Sequence, residues 1–160
     1  MKKDAKSLPS LPGLDDPPTR ERILRTAAHE FAVHGLAGAR VERIAREAGV
    51  NKAMIYYHFS SKDDLYRDTI ADIYRDAAEN ISVFLEGDEP LEKVLEATAE
   101  YFAELMTEYP EFRSVLMREL AWPGPEILEM ITGIVSSAGL PRRLLERFED
   151  EMKTGGIREA

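Results

Sequence analysis

The 160-residue chain contains no cysteine, so neither a disulfide nor a thiolate metal site can hold its fold, and a reducing compartment is permitted. Histidine is nearly as scarce. His29 and His34 lie five residues apart on one expected helix, a poor spacing for shared ligation, and His58 stands alone. No HExxH pattern and no glycine-rich phosphate loop occurs. With no convergent set of catalytic groups, neither enzymatic activity nor a cofactor is expected. The first residues, MKKDAKSLPSLPG, carry lysines but no apolar run of signal-peptide length, and no later segment reads as a membrane span. A cytoplasmic protein without membrane contact is the expectation. Strand-period alternation and internal repeats are missing too.

What is present is a helical pattern over most of the chain. Hydrophobic residues make up 44%, enough for a core. Prolines 9, 12, 17 and 18 with Gly13 mark residues 1–18 as a flexible arm. Thr19 can cap a helix with Ile23, Leu24, Ala27, Ala28 and Phe31 inward, stopped by Gly35. A short second helix turns Val41, Ile44, Ala45 and Ala48 inward and ends at Gly49. Asn51 caps a third helix through about His58, and Ser61 caps a long fourth one, with Asp64 in capping-box position. Apolar spacing continues through Leu65, Ile70, Ile73, Ala77, Ile81, Phe84 and Leu85. A further helix carries Leu91, Val94, Leu95, Thr98, Phe102, Leu105 and Met106 inward, and three more follow. The fold class is all-α.

Charge is divided unevenly along this pattern. The whole chain carries −9, yet Thr19–Arg67 holds nine Lys/Arg against six Asp/Glu, a net of +3. Residues 68–160 hold nine against twenty-one, a net of −12, and the first eighteen residues balance at three each. Only the N-terminal block suits a polyanion.

That block contains the stretch AGVNKAMIYYHFSSKDDL, Ala48 to Leu65. A short helix, a glycine turn and a second short helix, braced by a longer one, is the helix-turn-helix plan, whose second helix lies in the DNA major groove. At helical spacing Ile55 and Phe59 share an inward face, leaving Ala53, Met54 and Tyr57 outward with Tyr56 and His58 on the flanks. Outward Met and Tyr make sense against base edges and sugar-phosphate walls. Lys52 can donate to guanine O6/N7 or to a phosphate, and Ala53 and Met54 can touch thymine methyls. Tyr56, Tyr57 and His58 have donors for phosphate oxygens, as do Lys62 in the first turn of the fourth helix and Arg40 at the start of the second. The opposing interpretation packs the tyrosines into the helical hairpin, with His58 as a surface imidazole.

The order and spacing of IAREAGV, IYYHF and SKDDL across residues 19–66 resemble the DNA-binding domain of the tetracycline-repressor (TetR) family. The resemblance implies an N-terminal three-helix helix-turn-helix domain over 19–66, then an antiparallel helical bundle over 67–160 for ligand binding and dimerisation. It also implies that the first Tyr, the His and the Lys of the motif, here Tyr56, His58 and Lys62, touch DNA phosphates, with Tyr57 at the interface. The expected function is that of a ligand-responsive repressor, a homodimer on palindromic double-stranded operator DNA released by a small-molecule effector.

Two departures stand out. Where family members place Thr and a basic residue, this chain has Ala39-Arg40 and then Glu42, which would repel phosphate if it faced DNA. Glu42 can accept from cytosine N4, though a solvent-facing or Arg-paired Glu is the expectation. Family chains also continue, after a turn like GGIRE, into two long helices of a dimeric bundle; this one ends at Ala160, and the expectation is that the sequence lacks that segment. Tyr74, Tyr101, Phe102, Met106, Met117, Trp122 and Met130 are candidates for pocket lining, but at helical spacing each is more often plain core. The rival function is a helical-bundle protein-interaction module that does not bind DNA; it predicts no positive face around Arg40, Lys52 and Lys62.

Overall fold

In a computed structural model the chain is described over residues 18–121 and 124–154. The expected arm lies outside the described residues except for Pro18, as do Trp122 and the GGIRE segment. Eight helices follow in order: α1 (Thr19–Gly38), α2 (Val41–Glu47), α3 (Lys52–His58), α4 (Lys62–Glu86), α5 (Leu91–Glu108), α6 (Pro110–Ala121), α7 (Pro125–Ser137) and α8 (Leu140–Thr154). The described residues include no strand, so the chain is all-α. No helix among them is long and apolar enough to cross a membrane.

The start of α1 differs from expectation. Pro18, with extended ψ of 142°, is the N-cap and supplies the first carbonyl, to Arg22 N–H at 3.2 Å, so Thr19 is already helical and caps nothing. Gly35 breaks α1 as expected, by a left-handed φ of 65° that residues with a Cβ rarely adopt. One more turn then runs to Gly38.

α2 closes on Gly49, φ 67°, in a Schellman turn. Val50 N–H reaches Ala45 C=O at 2.9 Å and Gly49 N–H reaches Arg46 C=O at 3.2 Å, while Val50 packs on the core. Two of the three predicted caps form: Asn51 Oδ1 accepts from Met54 N–H at 2.8 Å, and Ser61 Oγ from Asp64 N–H at 3.0 Å. These satisfy donors that helices as short as α3 cannot satisfy internally.

Ile23, Leu24, Ala27, Phe31, Val41, Ile44, Ala45, Ile55, Phe59 and Leu65 form the predicted core of the first three helices and the start of α4. The same cluster takes in Ile70 of α4 and Val115 of α6, both 0% exposed. Phe31 meets Tyr66 edge-on, ring centroids 4.9 Å apart, locking α1 to α4. α4 packs against α1, α5, α7 and α8, so it runs through both parts of the molecule.

Of the residues predicted inward, Ala28, Ile73, Ile81, Phe84, Thr98, Phe102 and Met106 are only half-buried and Leu95 points outward. Glu30, which the apolar period leaves out, is 2% exposed. Polar contacts tie α8 to the end of α4: Arg143 donates to Ser82 Oγ at 2.5 Å and Glu86 at 2.7 Å. Glu151 Oε1 accepts from Leu91 N–H at 2.8 Å, capping α5 from outside the helix.

Candidate nucleic-acid interface

α3 stands on Ile55 and Phe59, which are 1% and 2% exposed, and this anchoring aims the rest of its surface outward. Tyr57 is 81% exposed, Tyr56 44% and Met54 38%. Lys52 and Ala53 are exposed, and His58 is half-buried beside Tyr57, the two rings 5.2 Å apart and nearly perpendicular. The tyrosines are therefore not interred in the helical hairpin. Tyr56, Tyr57, Met54, Ala53 and Lys52 share one open surface on a short, capped helix.

The cations around it are not all free. Lys52 Nζ lies 2.5 Å from Glu42 Oε1 of α2 and over the Tyr56 ring, 5.7 Å from its centroid. The hydrogen bond and then the opposite charge push the Lys52 ammonium above the usual lysine range, and the same hydrogen bond holds Glu42 below the usual carboxylate range. Glu42 thus faces solvent as expected, and its partner is Lys52 rather than an arginine. Lys62 is half-buried and donates to Ala39 C=O at 3.3 Å, on the turn between α1 and α2. Arg40, the N-cap of α2, keeps an exposed side chain.

The placement of Arg40 depends on a residue that sequence reasoning missed. Buried Glu30 accepts from Arg40 N–H at 2.9 Å and pairs with Arg43 at 3.3 Å, while His34 lies 3.7 Å away. Arg43 also contacts the His34 ring. One carboxylate of α1 thus receives the entry to α2, its burial compensated by charge and hydrogen bonds together. On the far side, Arg20 bonds Asp68 at 2.6 Å and stacks over Phe59, 5.3 Å from the ring centroid.

α1 is also tied to α6. Arg118 of α6 donates to Phe31 C=O at 2.8 Å and Ala32 C=O at 3.4 Å, in the turn that precedes the break at Gly35. In the body, Tyr101 is buried against Phe84, ring centroids 5.9 Å apart. Burial, then the Asp76 charge, push its hydroxyl up to about 12. The Asn80 amide opposes that shift, but no hydrogen bond of ordinary geometry forms, so Asn80 is a polar neighbour rather than a partner. Of the other residues weighed as pocket lining, Met117 is 50% exposed and Met130 packs on the core edge.

Residues 23–69 match the family model described as bacterial regulatory proteins, tetR family. The HTH-type transcriptional repressor SCO4008 of Streptomyces coelicolor is 38% identical over 112 residues, 70% of this chain and 53% of the relative. The HTH-type transcriptional repressor NicS of Pseudomonas putida is 31% identical over 102 residues, 63% of this chain and 48% of the relative. The chain thus spans about half the length of these curated relatives. Among solved structures, the transcriptional regulator FadR of Bacillus subtilis, determined with stearoyl-CoA, superposes with a TM-score of 0.73 at 21% identity, covering 88% of this chain and 74% of that one. PfmR of Thermus thermophilus, a TetR family transcriptional regulator, gives 0.63 at 26% identity, covering 87% and 75%.

Proposed function

Since residues 23–69 make this chain a member of the tetR family of bacterial regulatory proteins, we propose that it is a ligand-responsive DNA-binding transcriptional regulator, a repressor, with α1–α3 as its reading head. The observation that carries this is the outward surface of α3: two exposed tyrosines and a methionine held over a buried isoleucine–phenylalanine base. Such side chains gain nothing in water and suit a groove wall. Division into a head over 19–66 and a ligand-binding and dimerising body over 67–160 is part of the same proposal. In it, α3 lies in the major groove, with Ala53 and Met54 against bases. Arg40, Tyr56, Tyr57, His58 and Lys62 meet phosphates, and Lys52 meets base or phosphate.

Two copies would read half-sites about one helical turn apart, ~34–36 Å. An effector seated among the body helices would act by binding two head spacings with unequal affinity. α4, continuous from Lys62 beside the head to Glu86 in the body, is the element that joins them. The placement of the protein in the cytoplasm belongs to this reading as well.

Fluorescence anisotropy with labelled duplex across a salt series tests the core of it. Binding should weaken as salt rises, with preference for DNA upstream of regulated genes over random duplex. Lys62→Ala should weaken binding to every sequence and lower the slope of log K against log salt by about 1. A chain that prefers no duplex and shows no salt dependence is not a DNA-binding regulator.

A further inference from the structure

We propose that Glu42 and Lys52 act together as a single base-pair reader, selecting a G·C pair in each half-site and rejecting contact with the phosphate backbone. This rests on the DNA-binding reading above and names the specificity element within it.

The pair spans two helices. Glu42 is the second residue of α2 and Lys52 the first of α3, and the Gly49 turn brings them together. Nζ and Oε1 are 2.5 Å apart, yet the side chains remain 50% and 67% exposed, so the pair stands open on the surface. The Tyr56 ring beneath Nζ fixes the ammonium from a second side. The pair is therefore held in position while still presenting unused hydrogen-bonding capacity. Lys52 retains donors beyond the one engaged by Glu42, and the carboxylate retains acceptor sites.

Two explanations compete for this arrangement. As an ordinary surface ion pair it would contribute little to stability. As a phosphate contact it is self-defeating, because Glu42 cancels the Lys52 charge and would itself face a polyanion. As a base reader the donor–acceptor order fits. The major-groove edge of G·C presents guanine N7 and O6, two adjacent acceptors, followed by the cytosine N4 amino donor. Lys52 can donate to the first two while Glu42 accepts from the third. An A·T edge alternates acceptor, donor and acceptor, so it never offers Lys52 two neighbouring acceptors. The same carboxylate that accepts from cytosine repels phosphates when the protein slides out of register, which raises the ratio of specific to non-specific binding.

The test uses the full 160-residue chain and a library of duplexes with a randomised core, selected for binding and sequenced. Wild type, Glu42→Ala, Lys52→Ala and the double variant are run in parallel, with anisotropy on a random duplex across salt. Wild type should enrich a G·C column in each half-site. Both single variants should flatten that same column, about tenfold in relative affinity, and leave the other columns in place. The double variant should flatten it no further than either single one. Glu42→Ala should also bind random duplex more tightly, with a salt slope steeper by about 1, because the freed ammonium can reach a phosphate.

Enrichment by Glu42→Ala with every column unchanged would overturn the inference alone, as would an A·T pair in the column that responds. Salt-dependent binding by wild type with no column preference would likewise sink the pair while leaving DNA binding intact. No enrichment and no salt-dependent binding would bring down the DNA-binding reading and the inference with it.

Discussion

Tyr57 projects more of its surface than any other large side chain of α3, 81% of it, and touches little of the protein beyond the His58 ring. Truncation there should separate binding from folding. Tyr57→Ala is expected to shift unfolding free energy by less than about 0.5 kcal/mol in urea titration. Duplex affinity should fall about tenfold, the loss of roughly one hydrogen bond to a charged group. A variant that loses stability instead would place the ring in the fold rather than at the interface. The outward aim of this residue was legible because its neighbours Ile55 and Phe59 recur at helical spacing, and burying them leaves Tyr57 no inward option. The partner of Lys52 was not. Glu42 lies ten residues away on another helix, and nothing in apolar periodicity records how two exposed polar side chains meet.

At the scale of elements, caps and faces follow from local chemistry, and the exceptions come from distant contacts. Asn51 and Ser61 cap as expected because their partners lie three residues on. Glu30 escaped notice because it interrupts the apolar stripe of α1, and its burial makes sense only once α2 delivers Arg40 N–H and Arg43 to it. Its replacement should reveal how firmly α2 is held. Glu30→Ala removes the acceptor and the charge together and should cost about 3 kcal/mol, read by urea denaturation. Glu30→Gln keeps an acceptor for Arg40 N–H and should cost less, about 1–2 kcal/mol. Equal losses would mean that the charge on Glu30, rather than its bond to the α2 entry, accounts for the effect. Thr19 does not cap α1 for a similar reason of detail: Pro18 occupies the cap position one residue earlier, and its carbonyl accepts the first helical N–H.

Across the whole molecule, acidic side chains concentrate in the body, and α4 shows the effect. Burial first, then the neighbouring charges of Asp72 and Glu79, raise the Asp76 carboxyl from an ordinary 3.8 to about 6; burial raises Asp72 as well. For such a group the folded state binds its proton more tightly than the unfolded chain does. Folding is then relatively favoured at low pH, and this contribution is lost as pH rises from near 4 through 6. The Asp76 side chain is exposed at the surface, so solvent screens the effect and keeps it modest. Asp76→Asn should accordingly raise the melting temperature at pH 7 and lose that advantage near pH 4, as followed by circular dichroism. A gain of equal size at both pH values would assign it to packing instead.

Val115 sits wholly buried inside the core shared by α1–α3, and three residues further along α6 the Arg118 guanidinium closes the broken end of α1. The first three helices therefore borrow part of their cohesion from a helix that arrives about fifty residues after they end. Whatever else varies among the later helices, this short piece of α6 must keep its seat. A graft that joined the first three helices to foreign ones without it would leave a hole in the hydrophobic interior and strip Phe31 and Ala32 C=O of the Arg118 guanidinium.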